Sequence, residues 1–270
     1  MRTLATRVLK KIARTAGLER RHVAPPRMYC ERLSLATFGA RRKRLGGRIL
    51  AYHTLGQGEW GVNDVSPLQF RRHLDLALQL GYRFVPASVI AANGGGPKDL
   101  AITFDDGACS VCTNAAPILR EYGLPYTVFP VTDWAEGKVE YFVGRVMTWR
   151  EMDELMAKGA EIGSHSVSHP DFAKISHAQF EEELGESRRI IQARLGCATE
   201  AFAVPFGQAD NWPAAAAVAA RAAGYAQVYA QAEETRPAGT VARTFVSRFD
   251  GDFIFKALVM GAFDWWEEWF

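Results

Sequence analysis

The sequence predicts an α/β protein whose strands form a (β/α) barrel of seven or eight strands, regular or distorted. Eight short β-type runs follow residue 47, and helical patterns separate most of them. Strands that alternate with helices favour a parallel sheet, and about eight such units favour a barrel, in which chemistry lies at the carboxyl ends of the strands. The strand candidates are residues 48–53, 82–85, 100–104, 126–130, 160–164, 200–204, 225–229 and 242–247.

Helix-start signals support this alternation. Ser66, Thr148 and Ser176 each precede a helical pattern and are followed three residues later by Gln or Glu, the arrangement of a capping box. An Ala-rich helix begins at Pro213 and stops at Gly224, since proline suits the first turn of a helix and glycine the position after its end. The predicted helices therefore lie between the predicted strands.

Composition excludes several classes of protein. Across 270 residues, 48% apolar, 11% aromatic and 23% charged residues exclude wholesale disorder, collagen-like repeats and coiled coils. The longest stretch without Lys, Arg, Asp or Glu is residues 84–97, where three Gly and two Pro rule out a transmembrane helix. Residues 1–17 lack the uninterrupted apolar core of a secretory signal, and four scattered cysteines make no disulfide framework. We therefore expect a location in the cytoplasm or at the inner face of the membrane.

Charge is distributed very unevenly along the chain. Residues 1–48 hold 14 of the 32 Lys and Arg and only two of the 30 Asp and Glu, so they carry +12 and the remainder carries −10. Residues 1–18 predict a basic amphipathic helix suited to an anionic membrane, although a helix packed on its own domain has the same pattern. Residues 19–47 predict an extended linker, because they contain Pro-Pro, a basic run and Gly-Gly. The predicted organisation is thus an arm and linker over 1–47 and a barrel domain over 48–270, with a solvated leader as the alternative for the arm.

Polar residues follow two of the predicted strands at the point where each strand ends. Asp105 and Asp106 follow the third strand, and His165 and His169 follow the fifth. Two adjacent carboxylates at the end of a half-buried strand are stable only when they share a cation or a proton. Two histidines four apart, with a carboxylate from another strand, supply the three protein ligands of a catalytic zinc site and leave its fourth position for water.

Three segments at the strand ends resemble the polysaccharide deacetylases of the NodB-homology type, also called carbohydrate esterase family 4. They are residues 103–107 (TFDDG), 161–170 (EIGSHSVSHP) and 202–207 (FAVPFG), and the resemblance extends over 48–266 without the basic arm. It implies a barrel enzyme that removes an N-acetyl group from an amino sugar in a polysaccharide, oligosaccharide or lipid-linked glycan. It also implies a divalent metal, which is usually zinc in this family.

The resemblance assigns roles to particular residues. Asp106, His165 and His169 would bind the metal, and Asp105 would be the general base. Bound zinc lowers the pKa of water from about 16 towards about 7 and polarises the substrate carbonyl. In the third segment, the backbone N–H of Phe206, directly after Pro205, would help to stabilise the tetrahedral oxyanion.

The proton donor to the leaving amine departs from the commonest family pattern. Many relatives place a catalytic histidine in a Leu-rich motif near the carboxyl terminus, but no histidine follows His177 here. One branch of the family has a Tyr-His pair at the end of the first strand, where this chain has Tyr52 and His53. We therefore predict His53 as the general acid, with a structural role or a substrate contact as the alternative.

A second departure concerns the residue that orients the base. Many relatives carry an arginine before the proline of the third segment, where this chain has Ala203 and Val204. In the branch that the sequence resembles, an arginine late in the chain substitutes. We predict that Arg243, rather than Arg248, orients Asp105.

Other functions stay open at the level of sequence. The same scaffold could hydrolyse another C–N bond, as a deformylase or cyclic amidase, or serve as a non-catalytic carbohydrate-binding barrel, although the intact motif residues argue against the last. Nucleic acid is not the expected partner of the basic arm.

Cys109 and Cys112 begin a helix, where a thiol pKa could fall, but simple packing is favoured. Trp265, Trp266 and Trp269 could cover the barrel, stack on sugars or anchor at a membrane.

Overall fold

Parallel strands surround a common interior in the computed structural model, which describes residues 20–41, 43–230 and 239–266. The strands are β1 (Arg48–Tyr52), β2 (Thr54–Leu55), β3 (Asp64–Val65), β4 (Arg83–Phe84), β5 (Asp99–Asp106), β6 (Thr127–Pro130), β7 (Glu161–Ile162), β8 (Ala201–Ala203), β9 (Gln227–Ala230), β10 (Thr240–Ala242) and β11 (Thr244–Phe245). One hydrogen-bonded path runs β11–β1–β5–β6–β7, a second runs β8–β9–β10, and a small third sheet pairs β2 with β3.

The two longer paths join into a ring. A parallel bridge between Ser164 and Phe202 connects the end of β7 to β8. On the other side, only Arg243 separates β10, which pairs with β9, from β11, which pairs with β1. The strand order therefore returns to its start as a distorted (β/α) barrel, which confirms the predicted fold class.

The helices begin where the capping signals predict. The Ser66 hydroxyl accepts a hydrogen bond from the backbone N–H of Gln69, and full capping boxes form at Thr148 and Ser176. None of the helices in the described ranges is long and apolar enough to cross a bilayer. The helices are α1 (Arg20–Phe38), α2 (Pro67–Gln79), α3 (Ala87–Asn93), α4 (Ala116–Tyr122), α5 (Thr132–Ala135), α6 (Trp149–Met156), α7 (His177–Leu195), α8 (Ala214–Ala222) and α9 (Asp252–Ala257).

Side-chain alternation along the strands decides what faces the interior of the barrel. One buried cluster joins residues of five different strands, and these side chains fill the barrel interior: Ile49, Ala101, Phe129, Ala203 and Tyr229. The alternate positions, such as Leu50 and Ile102, belong to the core between the strands and the helices. Because side chains alternate with a period of two, the interior face of β1 continues through Ala51 to His53, and that of β5 continues through Thr103 to Asp105.

The segment 19–47 is not the extended linker that its composition predicts, because residues 20–38 form α1. The helix includes Pro25 and Pro26, which would break an isolated helix. Met28, Arg32 and Ala36, four residues apart, are buried against the body, so tertiary packing stabilises a helix that the local sequence disfavours. The predicted amphipathic helix over 1–18 lies outside the described residues, and the domain boundary at 48 stays a prediction.

The segment between β1 and α2 contains two short paired strands that the sequence patterns do not predict. β2 and β3 pair in parallel, with Leu55 opposite Val65, and they enclose the 3₁₀ turn Gly58–Asn63. Two-residue strands show no alternation that a sequence could reveal. This turn matters for the site because it places Trp60 at the mouth of the barrel.

Candidate active site

Asp105 and Asp106 lie at the carboxyl end of β5, both buried. Asp105 continues the inward-facing positions of the strand. Asp106 has a φ of 68°, which is uncommon for a residue with a side chain. This backbone conformation turns the second carboxylate into the same pocket as the first. Backbone strain of this kind concentrates at functional sites, where the surrounding structure holds it in place.

His165 and His169 lie in the loop that follows β7. The Nδ1–H of His165 donates to the Ala203 carbonyl at 2.8 Å, so Nε2 carries the lone pair that a metal would bind. His169 has a φ of 64°, and its backbone N–H donates to the Ser166 hydroxyl at 2.9 Å. Burial lowers the pKa of both histidines, that of His169 to about 3, so the rings are neutral, as metal ligands must be.

The three predicted ligands converge on one point. The Nε2 atoms of His165 and His169 each lie 3.6 Å from Oδ1 of Asp106. In a tetrahedral zinc site with bonds of about 2.0–2.1 Å, ligand atoms lie about 3.3 Å from one another, so these separations fit a cation between the three atoms. Oδ1 of Asp106 is buried and has no hydrogen-bond partner among the described residues, which is costly unless a cation satisfies it. The donor set of one carboxylate and two imidazoles suits zinc and similar divalent metals.

Arg243 forms a bidentate ion pair with Asp105. The two terminal nitrogens of the guanidinium donate to the two carboxylate oxygens at 2.6 and 2.7 Å, and Nη1 also donates to the Thr103 hydroxyl at 3.1 Å. Burial, the largest single influence, would raise the pKa of Asp105, but the charge and hydrogen bonds of Arg243 together with His165 and His53 hold that pKa well below its ordinary value. The carboxylate is therefore ionised, and because it has about four lone-pair sites it can still accept a proton or a hydrogen bond.

His53 lies in the same pocket as the two carboxylates and the two histidines. Its ring contacts Phe245 edge to face, and its buried Nδ1 has no partner among the described residues. Burial lowers the pKa of His53 to about 4, even though the Asp105 charge favours the protonated form. The resting imidazole is neutral, with an unused nitrogen beside the site.

Aromatic side chains form the rim of the pocket. Phe206, after Pro205 and the end of β8, has a φ of 63° and keeps half of its surface exposed. Its ring lies 4.7 Å from that of His169, and Trp134 contacts the same imidazole at 5.4 Å, so two aromatic rings fix the orientation of His169. Together with Trp60, Phe206 lines a pocket of about 350 Å³ that opens at the carboxyl end of the barrel.

Several contributors to this site have no signal in the motifs. Glu183 of α7 accepts hydrogen bonds from the backbone N–H groups of Val167 and Ser168 at 2.8 and 3.0 Å and from the Ser168 hydroxyl at 2.6 Å, which fixes the histidine loop. No sequence motif points to Trp134 on α5 either, because only tertiary packing brings it to His169.

The cysteines near the site are not activated. Burial raises the pKa of both Cys109 and Cys112, so the fall in thiol pKa considered for a helix start is wrong here. The charge of Glu151 adds to the rise at both thiols, and it outweighs Lys158, which opposes the rise at Cys112. Among the tryptophans near the carboxyl terminus, Trp266 packs against Phe245 and Phe263, as expected for a residue that covers the barrel. Trp269 lies outside the described residues.

The chain belongs to the polysaccharide deacetylase family. The sequence profile of that family, described as polysaccharide deacetylase, matches residues 92–228, just over half of the chain. The matched region contains the ligand cluster of Asp106, His165 and His169, and it also contains Asp105.

Individual relatives support the family and the fold. YxkH of Bacillus subtilis is 25% identical over 165 residues, 59% of this chain and 56% of YxkH. The chitooligosaccharide deacetylase of Sinorhizobium fredii is 29% identical over 121 residues, 44% of this chain and 48% of that protein. The chain thus spans about half the length of these curated relatives. The solved structure of the Streptococcus pyogenes deacetylase PplD in complex with acetate has a TM-score of 0.67 and 22% identity, with 79% of this chain and 96% of that chain covered, which shows the shared fold.

Proposed function

We propose that this protein is a metal-dependent hydrolase that removes an N-acetyl group from an amino sugar of a polysaccharide, oligosaccharide or lipid-linked glycan. The observation that carries the proposal is the convergence of Asp106, His165 and His169 beside a second, ionised carboxylate in one open pocket. Three protein ligands leave room for water and substrate, which is the arrangement of a catalytic rather than a structural metal site. Chitooligosaccharide deacetylases among the relatives support this substrate class.

The ligand residues would hold the metal at the mouth of the barrel. A bound divalent cation polarises an acetyl carbonyl and makes a water molecule more acidic. Burial and the Asp105 charge raise the pKa of Asp106 well above its ordinary value, so a bound cation would be what keeps this carboxylate ionised. The two neutral imidazoles would supply nitrogen lone pairs. The bond from His165 to the Ala203 carbonyl sets the tautomer that this role requires.

Asp105 is the proposed general base. Arg243 orients both carboxylate oxygens, and the ionised state leaves lone pairs that can take a proton from water as its oxygen attacks the acetyl carbon. A base fixed in this way loses no orientational freedom at the transition state. Arg243 is therefore a positioning residue that acts through Asp105.

The backbone N–H of Phe206 is the proposed donor to the developing oxyanion. A backbone N–H held in a fixed turn stabilises such a charge more than a mobile side chain does. The exposed ring of Phe206 and the indole of Trp60 line the same pocket, where aromatic faces suit the apolar faces of sugar rings. A pocket of about 350 Å³ is in the range of small-ligand sites.

His53 is the proposed proton donor to the leaving nitrogen. The C–N bond of an amide breaks easily only when the nitrogen gains a proton. Because the resting ring is neutral, Nδ1 would take the proton that Asp105 accepts from the attacking water and would pass it to the amine nitrogen as the C–N bond breaks. The products are acetate and the free amino sugar.

Two substrates with different leaving groups test these roles. N-acetylglucosamine oligomers require protonation of the leaving amine, whereas p-nitrophenyl acetate releases a stable phenolate. We expect Asp105→Asn to slow both reactions by about 10²–10⁴. His53→Gln should slow amide hydrolysis by a similar factor but ester hydrolysis by less than about tenfold. The exposed His177→Gln is the matched control.

Metal content and fold complete the experiment. Each variant is compared with the parent protein by metal analysis and by thermal unfolding, so that a loss of rate is not a loss of structure. The proposal fails if the metal-loaded protein releases no acetate from any N-acetylated oligosaccharide in a panel. Release of formate instead from N-formyl substrates would indicate the deformylase reaction. Equal losses with both substrates in His53→Gln would exclude its role as the acid.

A further inference from the structure

We propose that the amino end of the barrel carries a docking face for an anionic lipid bilayer. The face consists of the apolar side chains of Phe38, Leu45, Met260 and Trp265 and of the cations Arg41, Lys43 and Lys98. It lies in the described part of the chain, separate from the predicted helix over 1–18, and it involves none of the residues of the candidate active site.

Large apolar side chains project from this face. Phe38 is 85% exposed and Leu45 is 93% exposed, the two highest values among the large hydrophobic residues of the described ranges. Met260 and Trp265 add 39% and 41%. Single exposed apolar residues are ordinary on a protein surface, but a contiguous group of them marks an interaction site.

The two segments that carry these residues are neighbours. A Cβ on Gly39, next to Phe38, would lie 3.4 Å from the Cβ of Ala262. Arg48, at the start of β1 and just after Leu45, forms a buried ion pair with Asp264 at 2.8 Å. Because Asp264 precedes Trp265, both segments lie at the end of the barrel where the strands begin.

Positive charge surrounds the apolar side chains. Residues 41–44 are four consecutive basic residues between Phe38 and Leu45. Arg41 and Lys43 are exposed, and Lys98, which precedes β5 at the same end, is also exposed. Asp264 at this end is buried and paired with Arg48, whereas Glu267 and Glu268, which follow Trp266, lie outside the described residues. The chain after residue 48 carries a formal −10, so the basic run 41–44 contrasts with the acidic balance of the rest of the barrel.

Cations interleaved with projecting apolar side chains match the chemistry of a membrane interface. Lys and Arg are attracted to anionic headgroups, and Phe, Leu and Trp enter the boundary between headgroups and acyl chains. A nucleic acid would use the charge but leave Phe38 and Leu45 in water. An anionic bilayer is the occupant that satisfies both features of the face.

The position of the face has a consequence for the substrate. All strands are parallel, and the pocket lies at their carboxyl ends, opposite the docking face. The five residues of β1 alone separate the two ends by about 13 Å, at about 3.3 Å per residue. Docking therefore directs the pocket away from the bilayer, towards glycan segments in the aqueous space rather than sugars held at the same membrane surface. This consequence rests on the proposed deacetylase function, whereas docking itself does not.

Vesicle partitioning of the full chain tests the proposal. The probes are vesicles of phosphatidylcholine with 30% phosphatidylglycerol and vesicles of phosphatidylcholine alone. We expect Phe38→Ser with Leu45→Ser to lower partitioning to the anionic vesicles by at least about tenfold. Lys43→Gln with Lys98→Gln should lower it by about thirtyfold, at about fivefold per cation.

Matched pairs elsewhere on the surface serve as controls. Leu68→Ser with Val218→Ser changes side chains that are 64% and 57% exposed, and it should leave partitioning unchanged. Quenching by brominated lipids reports contact of the face itself, because the quenched component of emission should be smaller in Trp265→Phe. This measurement separates the face from any binding by residues 1–18.

The outcomes distinguish the face from its rivals. Partitioning that stays at the parent level in both face pairs, or equal quenching in the parent and Trp265→Phe, overturns the proposal. Binding that depends on Lys43 and Lys98 for a DNA duplex but not for vesicles also overturns it. The same variants should release acetate from soluble oligomers at the parent rate. Absence of that activity in the parent protein counts against the proposed function and leaves the docking result standing.

Discussion

Loss of the Arg32 guanidinium should destabilise the whole barrel, because α1 is fixed to the body through a fully buried ion pair. Nε and Nη2 of Arg32 each donate to an oxygen of Asp250 at 2.5 Å, and neither side chain has exposed surface. Nη2 also donates to the carbonyl of Phe245 in β11 at 3.0 Å. The guanidinium carbon lies 4.7 and 4.8 Å from the ring centres of Phe263 and Trp266.

The expected magnitude follows from the charge that would be left behind. In Arg32→Met, Asp250 keeps the backbone N–H of Ser247 but loses its cation. Removing one partner of a buried pair costs about 3–5 kcal/mol, which in a domain of this size lowers the melting temperature by roughly 6–20 °C. The matched control is Arg27→Met, which removes an ion pair to Glu31 at 3.4 Å whose side chains are about one-quarter exposed. Such a pair contributes at most about 1 kcal/mol.

Urea and thermal unfolding of the two variants provide the assay. The double variant Arg32→Met with Asp250→Leu should recover part of the loss, because it leaves no unpaired charge in the core. The reasoning is refuted if Arg32→Met is no less stable than Arg27→Met. It also follows that the arm is best removed by deleting residues 1–18, since deletion through residue 47 would leave Asp250 unpaired.

Two further predictions concern His73, whose Nε2 donates to the backbone carbonyl of Asp250, and Glu183 of α7. Burial lowers the pKa of His73 from 6.5 to about 4, and the neutral ring bonds Tyr52 at 3.0 Å. Unfolding therefore takes up a proton below pH 6.5, and this residue should cost about 3 kcal/mol of stability as pH falls from 6.5 to 4. In chemical denaturation across that range, the free energy of unfolding should fall less with decreasing pH in His73→Gln than in His177→Gln. Parallel pH profiles of the two variants would exclude the effect. Glu183→Ala should weaken zinc binding by about 10–100-fold, Glu183→Gln by less, and the exposed Glu182→Ala not at all, as measured by competition with a chelating dye.

Much of this structure could be predicted from the sequence, because its determinants are local. Every strand candidate coincides with an observed strand to within a few residues, since short β-type runs and capping residues act over one or two turns of chain. The alternation of side chains also brings His53 and Asp105 to one face of the barrel. The motifs at the strand ends therefore indicated the pocket before any packing was known.

Other features depend on residues far apart in the chain. The Pro-Pro segment lies in a helix whose Met28, Arg32 and Ala36 are buried against the body, and Arg32 meets Asp250, which is 218 residues away. The histidine loop is fixed by Glu183, and His169 is held between Trp134 and Phe206, whose approach no local pattern encodes.

The sequence by itself determined the strands, the helix starts and the chemical types gathered at the strand ends, because these follow from neighbours within a few residues. Only the tertiary structure decided how Arg243 pairs with Asp105, how α1 joins the body, and which cations and apolar side chains share the amino end of the barrel. Each of these depends on closure of the barrel, which brings residues into contact across the ring and buries charges that must then find partners.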